Sequence, residues 1–120
     1  MQRVLQAALM WFTLLTLLLG TAHAVDLQAI PKLTQPVIDT AHMLSDSEQA
    51  QLNQQLEQYA KSKGTQIVVF TVNTTAPEDA FTYGMRVVDR WQLGRAKEDD
   101  GVLLLIAKDD RKNQILVGRG

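Results

Sequence analysis

The chain has 120 residues, of which 46% are hydrophobic and 21% are charged, and its formal net charge is −1. Because acidic and basic residues nearly balance, the sequence lacks the clustered basic excess that marks nucleic-acid binding, and no nucleic-acid partner is expected. It contains no cysteine, which excludes disulfides, thiolate metal sites and thiol redox chemistry.

Residues 1–24 are typical of a cleavable secretory signal peptide. Arg3 supplies the positive first part, residues 4–19 are almost entirely apolar, and the sequence Ala-His-Ala at 22–24 has the small-x-small pattern that signal peptidase accepts. An uncleaved membrane anchor is the alternative, but the apolar stretch is short for a span of the bilayer. We therefore expect export to the periplasm or cell envelope, with the mature protein beginning at Val25.

The segment that follows the signal peptide carries little periodic pattern. Residues 25–36 contain Pro31 and Pro36 without a regular hydrophobic period, which predicts an extended linker. Residues 37–44 place Asp39 beside apolar residues and are predicted to be rich in turns. We expect the folded domain to occupy residues 37–120.

A first helix is predicted after Ser45. Ser45 is a favourable N-cap, and Glu48 three residues later completes a capping box. Gly64 is a natural residue to end the helix. Between them, apolar residues recur on one face at helical spacing: Leu52, Leu56, Tyr59 and Ala60.

A buried strand and a second helix follow. Residues 66–72 are apolar and mostly β-branched, which suits a strand covered on both faces. Pro77 is well placed as a first helical residue, and Gly94 is expected to end that helix. Phe81 and Trp91 are predicted to anchor the core rather than to bind a ligand. No glycine-rich phosphate motif follows the strand, so no nucleotide is expected.

Two further strands are predicted at 102–107 and 114–118. The turn between them, at 108–113, is too short for a crossover, so they should form an antiparallel hairpin. The strands at 66–72 and 102–107 are separated by a helix and should be parallel, which places Val69 and Leu104 in adjacent strands. We therefore predict an α/β sandwich with a mixed sheet, of which the chain holds the N-terminal portion, because no helix follows the last strand.

Six short motifs, in this order, resemble the TPM domain family, which is named for a thylakoid lumen protein, a photosystem II repair protein and an acetylcholine-receptor modulator. The motifs are Val37-x-Asp39-x-Ala41-x-x-Leu44-Ser45, Gly64-x-Gln66 running into Ile67-Val68-Val69, Trp91-x-Leu93-Gly94, Asp99-Asp100-Gly101-Val102-Leu103-Leu104-Leu105, Asp109-x-Arg111, and Val117-Gly118-x-Gly120. The resemblance implies a Rossmann-like α/β/α sandwich that continues past residue 120 with further helices.

The resemblance also carries functional expectations. Members are usually exported or lumenal and often tethered to a membrane, so the implied partner is a membrane protein or a membrane-associated complex. The properties described for the family are an acidic, calcium-binding cleft and, for a plant member, acid phosphatase activity. The expected cofactor of this chain is therefore Ca²⁺.

The densest acidic cluster, residues 98–100, is the candidate metal site. Carboxylates in a loop offer the oxygen ligands that Ca²⁺ prefers, although an isolated acidic run is more often a solvated loop. Asp99 and Asp100 lie on the family's Asp-Asp/Asn-Gly motif, which favours the site. Asp39 precedes the first helix in a segment free to lie against the same edge of the sheet. The predicted metal ligands are Asp39, Asp99 and Asp100, with a turn-forming role as the alternative for Asp39.

Other polar residues have simpler interpretations. His42 is the only histidine left after cleavage, so neither a zinc site nor a Ser-His-Asp arrangement is expected. Asp109, Asp110 and Arg111 are expected to be turn residues with a surface ion pair.

Two functions remain open, of which the first is favoured and the second is the alternative. One is an envelope binding or regulatory module with a Ca²⁺-binding cleft. The other is a metal-assisted acid phosphatase, which needs cationic phosphate binders near the cleft. Arg119, and with it Arg95 or Lys97, are the residues available for that role.

Overall fold

The computed structural model describes residues 26–94 and 100–119, so the predicted signal peptide at 1–24 lies outside the described residues. Six elements follow one another along the chain: β1 (Val37–Asp39), α1 (Asp46–Lys63), β2 (Thr65–Val72), α2 (Ala80–Trp91), β3 (Asp100–Ala107) and β4 (Lys112–Arg119).

The four strands form one mixed sheet in the order β1-β2-β3-β4. Strands β1, β2 and β3 are parallel, and β4 is antiparallel to β3. This confirms the predicted α/β fold with parallel strands and an antiparallel hairpin. Val69 pairs directly with Leu104, as predicted for adjacent parallel strands.

Strand β1 is a correction to the sequence analysis, which predicted only turns over residues 37–44. A three-residue strand is too short to show the alternation that reveals a strand in sequence. Its partner supplies the missing signal, because Val37, Ile38 and Asp39 pair with Val69, Phe70 and Thr71 of β2.

Helix α1 begins and ends as predicted. The Ser45 hydroxyl accepts a hydrogen bond from the Glu48 backbone N–H at 3.1 Å, and the Glu48 carboxylate accepts from the Ser45 N–H at 2.9 Å. Gly64 ends the helix with a φ of 73°, and its N–H donates to the Ala60 carbonyl at 2.9 Å. This capping box and left-handed cap satisfy backbone groups that the helix itself leaves open.

Helix α1 also closes the edge of the sheet. β1 is an edge strand, and the Val37 backbone on its outer side would otherwise be open to pairing with another chain. The Asn53 side chain accepts from the Val37 N–H at 2.8 Å, and the Gln49 amide donates to the Val37 carbonyl at 3.1 Å. Two side-chain amides of α1 thus replace a neighbouring strand.

Helix α2 begins three residues later than Pro77 suggested. Asp79 is the N-cap, and its carboxylate accepts from the Thr82 N–H at 2.7 Å. This cap determines the start, so Pro77 lies in the preceding turn. Phe81 lies outside the buried face of the helix and is 55% exposed, so the prediction that it anchors the core is wrong.

The core lies between α2 and one face of the sheet. Alternate residues of β2 and β3 point to this face, and the most deeply buried are Val68, Phe70, Leu103 and Leu105. Tyr83 and Val87 of α2 pack onto them and are completely buried. The Trp91 ring lies 5.1 Å from the Phe70 ring between centroids, which confirms Trp91 as part of the core.

The opposite face of the sheet is apolar but only partly covered by the residues that the structure describes. Ile115 and Val117 of β4 are 69% and 56% exposed. Val69 and Leu104 lie on this face and are half-buried. The expectation that β2 is covered on both faces holds only in part, because the deep core lies on the α2 side.

Residues 26–36, which we call the N-terminal strap, pack against the domain instead of forming a free linker. Ile30 and Leu33 are partly buried against the core. The strap then enters β1 through Pro36, whose carbonyl accepts from the Val69 N–H at 2.9 Å. The sequence does not reveal this packing, because several of its contacts are made through backbone carbonyls.

Candidate functional site

Asp39 ends β1 and holds the turn that leads to α1. One carboxylate oxygen accepts from the Thr71 hydroxyl at 2.5 Å and from the Met43 N–H at 3.0 Å. The other accepts from the Leu44 N–H at 2.9 Å. The structure therefore shows the turn-forming role that was the alternative interpretation of this aspartate.

Thr71 is a functional partner that sequence reasoning missed. Its side chain is almost fully buried, and its hydroxyl accepts from the Ala41 N–H at 3.1 Å while donating to Asp39. Its carbonyl accepts from the hydroxyl and the N–H of Thr40. The available signal was a polar residue within the apolar run of β2, at the position that pairs with Asp39.

The environment of Asp39 favours its charged form. Desolvation by partial burial raises the pKa of this carboxyl, but hydrogen bonds from Thr71, Met43 and Leu44, with a smaller contribution from His42, outweigh it. The net pKa lies below the usual value for aspartate. The carboxylate is therefore ionised and engaged with donors on both oxygens at neutral pH.

Replacing Asp39 by asparagine should lower the free energy of unfolding by about 1.5 kcal/mol at pH 7, because charge-assisted hydrogen bonds to a partly exposed group are lost. A lowered folded-state pKa stabilises the protein above the unfolded pKa and ceases to do so as pH falls through the folded value. The difference between wild type and Asp39→Asn should thus shrink below about pH 4. Urea denaturation of wild type and Asp39→Asn at pH 7 and in acid measures the stability difference and its decrease. A stability difference that is independent of pH would contradict the role of the ionised Asp39 carboxylate.

Asp100 lies at the other end of the sheet from Asp39. It is the first residue of β3 and pairs with Thr65 of β2, whereas Asp39 pairs with Thr71. These two positions are six residues apart along β2, a separation of roughly 20 Å at about 3.3 Å per residue. The prediction that Asp39 joins Asp100 at one end of the sheet is wrong. Asp99 lies outside the described residues.

The reason lies in the direction of β1. The prediction took residues 37–44 to be a turn that is free to lie against the sheet edge where β3 begins. Parallel pairing instead places the last residue of β1 at the carboxyl ends of the strands, while the first residue of β3 is at their amino ends. An aspartate after one parallel strand and an aspartate before another cannot share an end.

The start of β3 has close backbone packing around the exposed Asp100. A Cβ on Gly94 would come within 2.1 Å of the Gly118 carbonyl oxygen and 2.6 Å of the Gly101 nitrogen. Arg119 pairs with Asp100 in the hairpin register, which confirms that the start of β3 lies beside the end of β4. Glycine at positions 94, 101 and 118 is a packing requirement, because three backbone segments meet here without side chains.

The fit to a metal ion is incomplete in the described part of the chain. Within residues 26–94 and 100–119, no three histidine, aspartate or glutamate side chains are arranged to hold a metal together. Asp100 supplies one exposed carboxylate, and Asp39 is committed to its turn.

The hairpin between β3 and β4 has the structural role that was predicted for it. Lys108 and Asp109 form a surface ion pair at 3.8 Å, and Arg111 adopts a left-handed turn conformation with a φ of 53°. Asp110 does more than expected, because it accepts from the Thr74 hydroxyl at 2.9 Å and from the Thr75 N–H at 3.0 Å. It thereby ties the hairpin to the loop after β2.

A pocket of about 520 Å³ opens beside this hairpin, and sequence reasoning did not find it. Its walls include Pro77, Asp79, Phe81, Asp110 and Lys112. Asp79 caps α2 and Asp110 holds the neighbouring loop, so both carboxylates serve the fold. No periodic pattern announces such a pocket, because its residues come from a loop, a helix start and a hairpin.

Comparison with known proteins gives one family. The TPM domain family matches residues 37–120, which is the range predicted for the domain. No curated protein matches the chain. Among the helices of the described residues, none is long and apolar enough to cross a membrane.

Proposed function

Because the chain belongs to the TPM domain family, we propose that it is an exported protein that serves as a binding and regulatory module of the cell envelope. The signal-peptide pattern of residues 1–24 supports export. The proposed partner is a membrane protein or a membrane-associated complex, as the family resemblance suggests.

We place the cation-binding capacity of this module at Asp99 and Asp100, with Asp39 taking no part. The observation that carries this assignment is the position of Asp100, exposed at the amino end of β3 and far from Asp39. Adjacent carboxylates repel each other, and a hard cation such as Ca²⁺ relieves that repulsion. Asp39 already accepts hydrogen bonds on both oxygens and would have to give up its turn to coordinate a metal.

One observation favours a second function, metal-assisted phosphatase activity. Arg119 lies opposite Asp100 in the β3–β4 register, which puts a cationic residue at the same sheet end as the acidic motif. A bound divalent cation would supply Lewis-acid activation of a phosphoryl oxygen. In that function Arg119 would bind the phosphate, and the two aspartates would hold the cation.

Hydrolysis of p-nitrophenyl phosphate at acid pH, with Ca²⁺ or Mg²⁺ added, separates the two functions. For a binding module we expect no hydrolysis above the buffer rate, although Ca²⁺ binds. Hydrolysis that is lost in Asp99→Asn/Asp100→Asn and in Arg119→Gln, but kept in Asp39→Asn, would establish the phosphatase and overturn the binding module as the primary function.

A further inference from the structure

The N-terminal strap runs along α2 and is held by side chains of that helix. Its hydrogen bonds with α2 reach from Tyr83 to Trp91. Three donors reach strap carbonyls: the Arg86 guanidinium to Gln28 at 3.1 Å, the Tyr83 hydroxyl to Ala29 at 2.8 Å, and the Trp91 indole to Pro31 at 2.8 Å.

Two of these donors are also held by contacts within the domain. Tyr83 is completely buried, with its ring 6.2 Å from the Phe70 ring between centroids. Arg86 is held by Glu78 in a bidentate ion pair, at 2.7 Å for its shortest contact. Removal of the strap would leave the Tyr83 hydroxyl without its carbonyl acceptor and uncover part of the core. The strap is therefore part of the folded unit, although it precedes the first residue of the family match.

The attachment of the strap begins very close to the predicted cleavage point. The bond between Ala24 and Val25 is three residues before Gln28, whose amide also donates to the Ala76 carbonyl at 3.0 Å. Three extended residues span at most about 10 Å. With the strap attached, the bond to be cut is therefore separated from an anchored residue of the folded domain by a segment that spans at most about 10 Å.

We propose that attachment of the strap and cleavage of the signal peptide exclude each other, so that the strap acts as a clasp that closes after processing. Signal peptidase works at the membrane surface on an extended segment, and the folded domain would collide with it or with the bilayer. Cleavage of a folded precursor then proceeds only from the fraction of molecules whose strap is open. This inference rests on the proposed export of the chain.

The test compares cleavage rates of folded full-length precursors by purified signal peptidase in detergent, followed by intact mass. Six Gly/Ser residues inserted between Asp26 and Leu27 leave every strap contact in place but lengthen the reach. We expect the insertion to raise the rate roughly tenfold, because cleavage no longer waits for the strap to open. Tyr83→Phe combined with Trp91→Phe removes two of the strap's hydrogen bonds and should raise the rate by a smaller factor.

Peptides of residues 1–36, with and without the insertion, provide the unfolded reference and should be cleaved at equal rates. Equal rates for the folded wild-type and insertion precursors would overturn the clasp and leave export intact. An insertion that accelerates the peptide as much as the precursor would also overturn it. Failure of the peptidase to cut either peptide would overturn the proposed export, and the clasp with it.

Discussion

Replacing Leu103 by alanine should lower the free energy of unfolding by about 4 kcal/mol, the cost of a large cavity in a closed core. Leu103 is completely buried on the face of β3 that packs against α2. Its neighbour Leu104 points to the other face and is half-buried, so Leu104→Ala should cost only about 1 kcal/mol. Urea denaturation of both variants measures the difference.

The two substitutions delete the same atoms from adjacent positions of one strand. Their difference therefore reports which face of the sheet carries the core, with strand propensity and side-chain chemistry held constant. Equal losses of stability, or a larger loss at Leu104, would show that the core has been assigned to the wrong face.

Replacing Gly94 by alanine should cost about 3 kcal/mol, since overpacking against backbone is added to an unfavourable left-handed conformation. Gly94 has a φ of 76°, and a Cβ there would meet the Gly118 carbonyl oxygen at 2.1 Å. Backbone atoms of β4 cannot move aside without disturbing its pairing with β3.

Gly64 is the matched control. Its φ of 73° is nearly the same, but a Cβ would meet nothing within 4 Å. Gly64→Ala should therefore cost only about 1 kcal/mol, the conformational part alone. Thermal melting of the two variants separates conformational strain from the close approach of three backbones. Similar melting temperatures would mean that the contact among Gly94, Gly101 and Gly118 is not tight.

Local signals made most of the fold predictable. The capping box at Ser45 and the glycine at 64 determine where α1 begins and ends, because each satisfies specific backbone groups. The apolar run of β2 and the short hairpin turn after β3 can likewise be recognised from the local sequence alone. β1 does not, because three residues become a strand only through pairing with β2.

The site was harder to predict than the fold because it depends on strand direction. The acidic motif before β3 is visible in sequence, and its position beside the end of β4 follows from the hairpin. The place of Asp39 depended on a strand that the sequence did not reveal, and parallel pairing carried it to the opposite end. Phe81 was misassigned for a different reason, since it lies beside the buried face of α2 and not on it.

The most direct measurement of the proposed site is the shift in melting temperature on adding Ca²⁺ to wild type, to Asp99→Asn/Asp100→Asn and to Asp39→Asn. A ligand that binds only the folded state stabilises it by about 2.7 kcal/mol at 100 times its Kd, and this should raise the melting temperature of the wild type. Asp39→Asn should start from a lower melting temperature and show the same rise, whereas the double variant should show none. A rise that survives in the double variant, or one that disappears in Asp39→Asn, would contradict the assignment of the site to Asp99 and Asp100.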